Sequence, residues 1–469
     1  MTYNPLNQYR CTIIRGKSQT EMEDFLPFYA QMIHMFCPCT KDEFQYRCFS
    51  KLGQLLFGIS DFENLPDSNQ KTIKNHVTEI AGKLLGLYYI DTDDYVHETK
   101  SCEFLLEKND FPAFFKNLCA NLQFPNGSQK IQTIIERLEN DINIKPLCYV
   151  VSFLDFARKQ KEKKLLTKQE IGFYILNNLD VLQGNVPVDV VYNQIMKDRF
   201  NRVKHEKLSG SRDWQHIKEQ FNLLDLSNVT TSDDTYIWLN EEENEAIKIF
   251  VAKNSEPMFD ICSYDLMDEN SKKCMFSDWG RFYGTMDDRF KNLDTNFTQD
   301  SITDSIRERG AVGLSTAELG DRGEALVYKL ECDRVRAYKE RLVNKVLLLG
   351  KTKGLGYDIS SIEADENPNK PEFARYIEVK STKRSTEPSF ESPAWNDTLS
   401  LTSKEWIAAE QYKEYYNIYR VYFTKNKTII VRIQNPFKLA ENNEIDVFPT
   451  IYQMSFDASV IKKQYEKKI

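Results

Sequence analysis

GLGYDISSIEADENPNKPEFARYIEVKST, residues 354–382, holds two short apolar runs that each end in acidic chemistry. Asp358 follows Gly356 and Tyr357, and the triplet Glu378-Val379-Lys380 follows Tyr376 and Ile377. Both runs read as β-strands. Alternate residues of a strand share a face, so Glu378 and Lys380 point one way while Val379 points into a core. If the strands are neighbours, Asp358 joins them and two carboxylates converge beside an ammonium. Hard oxygen ligands of this kind hold a divalent ion such as Mg²⁺, which polarises a phosphate and activates a water. The lysine then orients that water or steadies the developing charge. Such a set is suited to cutting phosphodiesters.

A single Glu-x-Lys triplet occurs on many exposed strands, so the order of the surrounding elements carries the weight. Before Asp358, a helical pattern runs from Glu324 to about Leu349 with no Pro or Gly inside it. After Lys380, Thr402-Ser403-Lys404-Glu405 is a capping box that opens a helix from Trp406 to about Tyr415. Two β-rich runs follow, at 418–423 and 428–433. The expectation is an α/β domain with a mixed central sheet in the order helix, strand, strand, helix, strand.

Asp358, nineteen intervening residues, then Glu378-Val379-Lys380 resembles the PD-(D/E)XK nuclease superfamily, to which most type II restriction endonucleases and the Mrr-like enzymes belong. More narrowly, four motifs are similar to the nuclease-like domain at the C-terminus of NO VEIN proteins and of many bacterial restriction and defence proteins. They are Gly323-Glu324, Gly356-Tyr357-Asp358-Ile359, Ile377-Glu378-Val379-Lys380, and Leu401-Thr402 with Glu405-Trp406. The similarity spans roughly residues 320–435, and Tyr357 stands where the superfamily often has proline. It implies that Asp358 and Glu378 ligate Mg²⁺, that Lys380 assists the water, and that Glu324, early in the first helix, completes the site. Glu331, two helical turns further on the same face, competes with Glu324 for that place. Gln411 reads as a surface residue able to reach the site. Ser381, Thr382 and Lys383 extend the active strand towards phosphate.

The remaining chain is too long for one compact domain: 469 residues, 41% hydrophobic and 28% charged, with ample Phe, Tyr and Leu for sizeable cores. No uninterrupted apolar run is long enough to span a bilayer, and MTYNPLNQYR has no signal-peptide pattern, so a cytoplasmic protein is expected. The ten cysteines are expected to be reduced thiols in cores. His34, Cys37, Cys39 and Cys48 fall close together, yet their spacing matches no zinc motif. A net charge of −8 excludes a protein coated with positive charge for non-specific nucleic-acid binding, but a local basic face suffices for a specific one. Two such runs stand out: Lys197, Arg199, Arg202, Lys204, Lys207 and Arg212, and then Lys329, Arg334, Arg336, Lys339, Arg341 and Lys345.

The N-terminal half reads as mainly α and internally repeated. Capped helices at about 21–36, 41–57 and 71–85 lead to Tyr88-Tyr89-Ile90-Asp91, a polar turn and Tyr95-Val96-His97. A second set, opened by the capping box Thr167-Lys168-Gln169-Glu170, ends in Ser232-Asp233-Asp234 and Tyr236-Ile237-Trp238. Asn75-His76-Val77-Thr78-Glu79 parallels Gln215-His216-Ile217-Lys218-Glu219 ahead of the turns. Three helices and a hairpin is the order of a winged helix, whose third helix enters the major groove. On that reading Lys71, Lys74, Asn75 and Thr78, with Arg212, Gln215, His216 and Lys218, contact DNA.

The domains expected are two winged-helix-like recognition modules, 1–155 and 156–253, a connecting region 254–322 whose polar stretch from Asp287 is a linker, and a nuclease domain 323–469. A tethered cutter of this kind is similar in layout to type IIS restriction endonucleases. The expected activity is Mg²⁺-dependent, site-specific cleavage of double-stranded DNA in a restriction-modification or phage-defence system. Its expected partners are a second copy of the chain on DNA, because one site cuts one strand, and a cognate methyltransferase. Two alternatives stay open: a modification-dependent or partner-activated defence nuclease, and a winged-helix DNA-binding regulator with an inactive nuclease fold.

Overall fold

Ser18, Thr40, Thr167 and Thr402 each stand at the N-cap of a helix, their side chains accepting the backbone N–H three residues on. At Ser18, Thr167 and Thr402 a glutamate reaches back to complete the capping box, as the sequence predicts for the last two. The architecture is that of a computed structural model, which describes residues 17–160, 165–203, 211–293, 319–350, 354–392 and 395–447.

The first unit runs α1 (Gln19–Phe36), β1 (Cys39–Thr40), α2 (Lys41–Phe57), α3 (Asp67–Lys74), which continues as a wider-turned helix Asn75–Leu84, then the hairpin β2 (Tyr88–Ile90) and β3 (Tyr95–Glu98). Asp91 closes the hairpin by accepting the N–H of Asp93 at 3.0 Å and of Tyr95 at 2.9 Å. The strands order β1-β3-β2. Next come α4 (Lys100–Lys108), α5 (Phe111–Asn121), α6 (Ile131–Glu139) and α7 (Pro146–Arg158).

The second unit has β4 (Leu166–Thr167), α8 (Lys168–Ile171), α9 (Leu179–Leu182), α10 (Val188–Phe200), α11 (Ser211–Leu226) and the hairpin β5 (Thr230–Ser232) and β6 (Tyr236–Leu239). Its sheet orders β4-β6-β5, and Asp233 closes its turn as Asp91 closes the first. The registers correspond: Thr40 pairs with Tyr95, and Thr167 with Tyr236. Thr167 therefore corresponds to Thr40, not to Ser18. The sequence reading set this repeat one element late, because a cap reveals that a helix starts but not which helix it is.

α5 is the centre of the N-terminal half, with every residue buried. Around it a single apolar core extends from Met22 to Phe290. The segment read as connecting is part of this core. α12 (Asn244–Lys253), α13 (Glu269–Tyr283) and α14 (Asp288–Lys291) bury Phe250, Trp279, Tyr283 and Phe290. The Tyr283 hydroxyl donates to Leu84 O at 2.9 Å. Asp287 and Arg289 look like linker residues but are a paired rim around Phe290. The rest of the expected linker, 294–318, lies outside the described residues.

The C-terminal half contains α15 (Leu319–Tyr338), β7 (Leu347–Leu348), β8 (Ile359–Ile362), β9 (Ala374–Lys383), α16 (Ser403–Tyr412), β10 (Tyr416–Phe423), β11 (Thr428–Gln434) and α17 (Pro436–Glu441). Its sheet orders β11-β10-β9-β8-β7, with β9 and β10 parallel and the other pairs antiparallel. Val327 and Val335 of α15 pack with Ile359, Ile377, Val379 and Val421 on one face. Ala408 and Ala409 of α16 pack with Tyr416 and Ile418 on the other. Covered on both sides, β10 is buried along its whole length. The predicted first helix overshoots: α15 ends at Tyr338, Lys339 is extended, and the apolar 346–348 run joins the sheet edge. The two halves are docked. Thr382 to Thr386, running on from the end of β9, bond to α1 and to Asn109.

Candidate active site

Asp358 stands at the start of β8, opposite Glu378. Its N–H donates to Ile377 O at 2.9 Å, and its Oδ2 accepts the Val379 N–H at 2.9 Å. The turn before it passes directly under α16. Gly356 has φ +77°, and a Cβ there would meet Lys404 O at 2.5 Å, so glycine is required on both counts. Tyr357, in the proline's place, packs on Tyr376 and Tyr412 and leaves the carboxylate free to face the site.

Glu378 and Lys380 share the α16 face of the sheet, while Val379 enters the opposite core, as strand alternation predicts. Lys380 Nζ lies 2.7 Å from Glu378 Oε1 and 2.9 Å from Glu405 Oε2. Asp358 and Glu378 hydrogen-bond to each other. Burial pushes the Glu378 carboxyl up to about 8 against the pull of Lys380, and the charges of Asp358 and Glu405 add to the rise. Burial likewise raises Asp358, opposed by the Val379 N–H and Lys380. For Lys380 burial acts downward, but Glu378 and Glu405 outweigh it and hold the ammonium charged.

Three carboxyls converge on one ammonium in a mostly buried site where burial holds a proton on Glu378, and a divalent cation would displace that proton. Among the described residues no group of three or more His, Cys, Asp or Glu is arranged to hold a metal. Two protein carboxylates, with waters and substrate phosphate filling the other positions, suit Mg²⁺.

Glu405 was not singled out from sequence as a site residue. It appears there as the far end of a capping box and in the motif Leu401-Thr402 with Glu405-Trp406; its Oε2 accepts the Thr402 N–H as well as facing Lys380. Glu324 abuts Gly350, next to Leu349, whose N–H donates to Asp358 O. Glu331 does not compete with it. It is fully buried on the other face, accepting from Ser361 Oγ at 2.7 Å and Tyr419 OH at 2.8 Å and pairing with Arg334 at 2.6 Å. Gln411 is exposed. Ser381, Thr382 and Lys383 are not presented to phosphate: Ser381 Oγ is buried beside Gly323, Thr382 bonds to Asn109 O, and Lys383 is 2% exposed.

In the N-terminal half Lys71, Lys74 and Asn75 are exposed and Thr78 is half-buried on one helical face; Gln215 and Lys218 are exposed on α11. The side chains of Arg212 and His216 lie outside the described set, as do Lys204 and Lys207. Much of the basic character read from sequence is internally paired: Arg199 with Glu170, Arg334 with Glu331, Arg336 with Asp333, Lys345 with Glu372. His34 pairs with Glu98 at 3.0 Å, and burial raises the Cys37 and Cys48 thiols.

Residues 3–280 match the protein family described as the N-terminal part of restriction endonuclease BpuJI. The chain belongs to this family. The BpuJI-type region takes in both hairpin units and the α5 core, and all of the residues expected to contact DNA. Residues 323–433 match the family described as the C-terminal part of protein NO VEIN, which takes in Asp358, Glu378, Lys380 and Glu405. Among solved structures the chain is similar to the BpuJ1 endonuclease binding domain, crystallised in complex with pyrene- and phenanthrene-modified DNA. The identity is 36%, covering 61% of this chain and 100% of that one, with a TM-score of 0.55. No curated protein sequence matches the chain. No helix among the described residues is long and apolar enough to cross a membrane.

Proposed function

We propose that this chain is a Mg²⁺-dependent, site-specific endonuclease of restriction type, with a PD-(D/E)XK site in its C-terminal half and DNA recognition in its BpuJI-type half. The observation that carries the reading is the convergence of Asp358, Glu378 and Lys380 on one sheet face, with burial holding on the carboxyls protons that a cation would displace. Asp358 and Glu378 hold the ion, and Glu324 completes the site from α15. When bound, Mg²⁺ supplies Lewis-acid polarisation of the phosphate and an activated water. Lys380, kept charged by Glu378 and Glu405, orients that water and steadies charge on the phosphate.

The element order of each hairpin unit, helices and a hairpin on a three-stranded sheet, supports a winged-helix reading. Together with the DNA complex of the BpuJ1 binding domain, this supports duplex reading by Lys71, Lys74, Asn75 and Thr78 and by Arg212, Gln215, His216 and Lys218. A single site per chain cuts one strand. Cutting both strands calls for two copies on the DNA, and protection of host DNA calls for a cognate methyltransferase.

The test is incubation of the purified protein with mixed-sequence plasmid and phage DNA plus Mg²⁺, beside Asp358→Ala, Lys380→Ala and an EDTA control. Discrete fragments are expected from the wild type alone, the variants falling by about 10²-fold or more. Cleavage that persists in Lys380→Ala or in EDTA refutes the mechanism.

A further inference from the structure

β9 carries Glu378 and Lys380; one edge pairs with β10 from Tyr376 to Lys383, and on the other edge different parts of the chain hold the two ends. Upstream, β8 pairs with it only as far as Ile377. Downstream, the same edge is taken by the BpuJI-type half: the Lys383 N–H donates to Asn109 O at 2.8 Å, Thr382 Oγ1 donates to that carbonyl at 3.1 Å, and Asp110 forms a parallel bridge with Lys383. Glu378 and Lys380 lie in the gap between these anchorages. Asn109 ends α4 in the left-handed region and Asp110 caps α5, so the platform is part of the N-terminal core.

Beyond the bridge the chain runs into α1. Arg384 Nη2 meets Asp24 Oδ1 at 2.7 Å, and the N–H groups of Ser385 and Thr386 donate to the two carboxylate oxygens of Glu23, each at 2.7 Å. Thr386 Oγ1 adds a bond to Glu23 Oε2 at 2.6 Å, and Ser385 Oγ donates to Leu226 O at 2.8 Å. Glu23 is fully buried, and Arg384 is 3% exposed. A carboxylate buried on the inner face of a helix costs free energy unless it is bonded throughout, and an apolar side chain would pack there without that cost. All the partners found for Glu23 belong to the segment that follows β9.

We propose that Glu23 is a positioning residue for the cutting site. Through the backbone of Ser385 and Thr386, and with Asn109 beside it, it fixes the downstream end of the active strand and hence the alignment of Lys380 with Glu378 and Asp358. The inference rests on the nuclease reading above. It makes the recognition half a structural part of the cutting site, not a carrier joined to it by a tether.

The experiment compares full-length wild type, Glu23→Ala and the near-isosteric Glu23→Gln by amide hydrogen exchange over 376–386, duplex affinity, and kcat with KM for cleavage. Glu23→Ala is expected to speed exchange at 381–386 by about tenfold or more, to lower kcat by about tenfold, and to leave KM and duplex affinity within about twofold. Glu23→Gln, which keeps one carbonyl acceptor, falls between, and carries the same test if the alanine variant does not fold. Wild-type exchange in a folded variant overturns the proposal, and so does faster exchange with full kcat, since the seam would then only dock the halves. A wild type that cuts no DNA overturns the nuclease reading and the catalytic claim with it, while the exchange result still decides whether Glu23 anchors the strand.

Discussion

Replacing Glu378 with Gln should stabilise the metal-free protein at alkaline pH while abolishing cleavage. In the unfolded chain this carboxyl ionises near its ordinary 4.5; in the folded chain burial, with Asp358 and Glu405 nearby, holds the proton on until about 8. Between those values the native state keeps a proton that the unfolded state has released, so stability falls as pH rises. The contribution is whole below pH 4.5 and is lost as pH passes through about 8. The slope is at most about 1.4 kcal/mol per pH unit. Because Glu378 shares its proton with Asp358 and its charge with Lys380, we expect the sum over the window to be on the order of 2–4 kcal/mol. The amide of the Glu378→Gln variant has no such proton to lose. Thermal unfolding in EDTA at pH 5 and at pH 8.5 measures the difference. The gain of Glu378→Gln over wild type should grow by roughly 2–4 °C between the two pH values, at about 1 °C per kcal/mol for a chain of this length. Added Mg²⁺ should raise the wild-type midpoint at pH 8.5 and leave that of the variant where it was. A gain that does not change with pH, or a variant less stable than wild type at pH 8.5, would refute the electrostatic account of the site.

Glu405→Gln keeps an acceptor for the Thr402 N–H, so the α16 cap should survive with a loss under about 1 kcal/mol while kcat falls; Thr402→Ala should do the reverse, costing about 1 kcal/mol and sparing cleavage. Urea unfolding and single-turnover cleavage on both variants separate the two roles of Glu405. Glu331→Ala takes from Arg334 its buried carboxylate, while Arg375 keeps Glu363, and should cost about 3–5 kcal/mol with cleavage retained in the folded fraction. Glu324→Ala should cost little stability and lower cleavage, and the opposite pattern in this pair would exchange their assignments.

Asp358, Glu378 and Lys380 could be placed together from sequence because the signal is local. A period of two puts Glu378 and Lys380 on one face of β9, whereas the run before Asp358, read as a strand, is a turn and β8 begins only after the acid. The capping boxes at Thr167 and Thr402 and the Asp-closed hairpins were equally legible, since each is a bond between residues a few positions apart. Caps and apolar patterning announced several helical elements and a C-terminal group of strands.

What the sequence by itself determined, then, is the elements and the pairing of charges along one strand. The tertiary structure decided which distant groups meet them. Glu331, two turns on from Glu324 along α15, is taken up by Tyr419 and Ser361, partners that no pattern within the helix reveals. Glu405 reaches Lys380 only because α16 lies across the strand that bears it. The polar stretch at 287–293 is part of the core because Phe290 finds a cavity among residues far back in the chain. The seam joining Glu23 to Ser385 and Thr386 spans most of the chain's length. Periodicity and capping arise from bonds within one element, whereas these contacts exist only after close packing has selected one arrangement of elements.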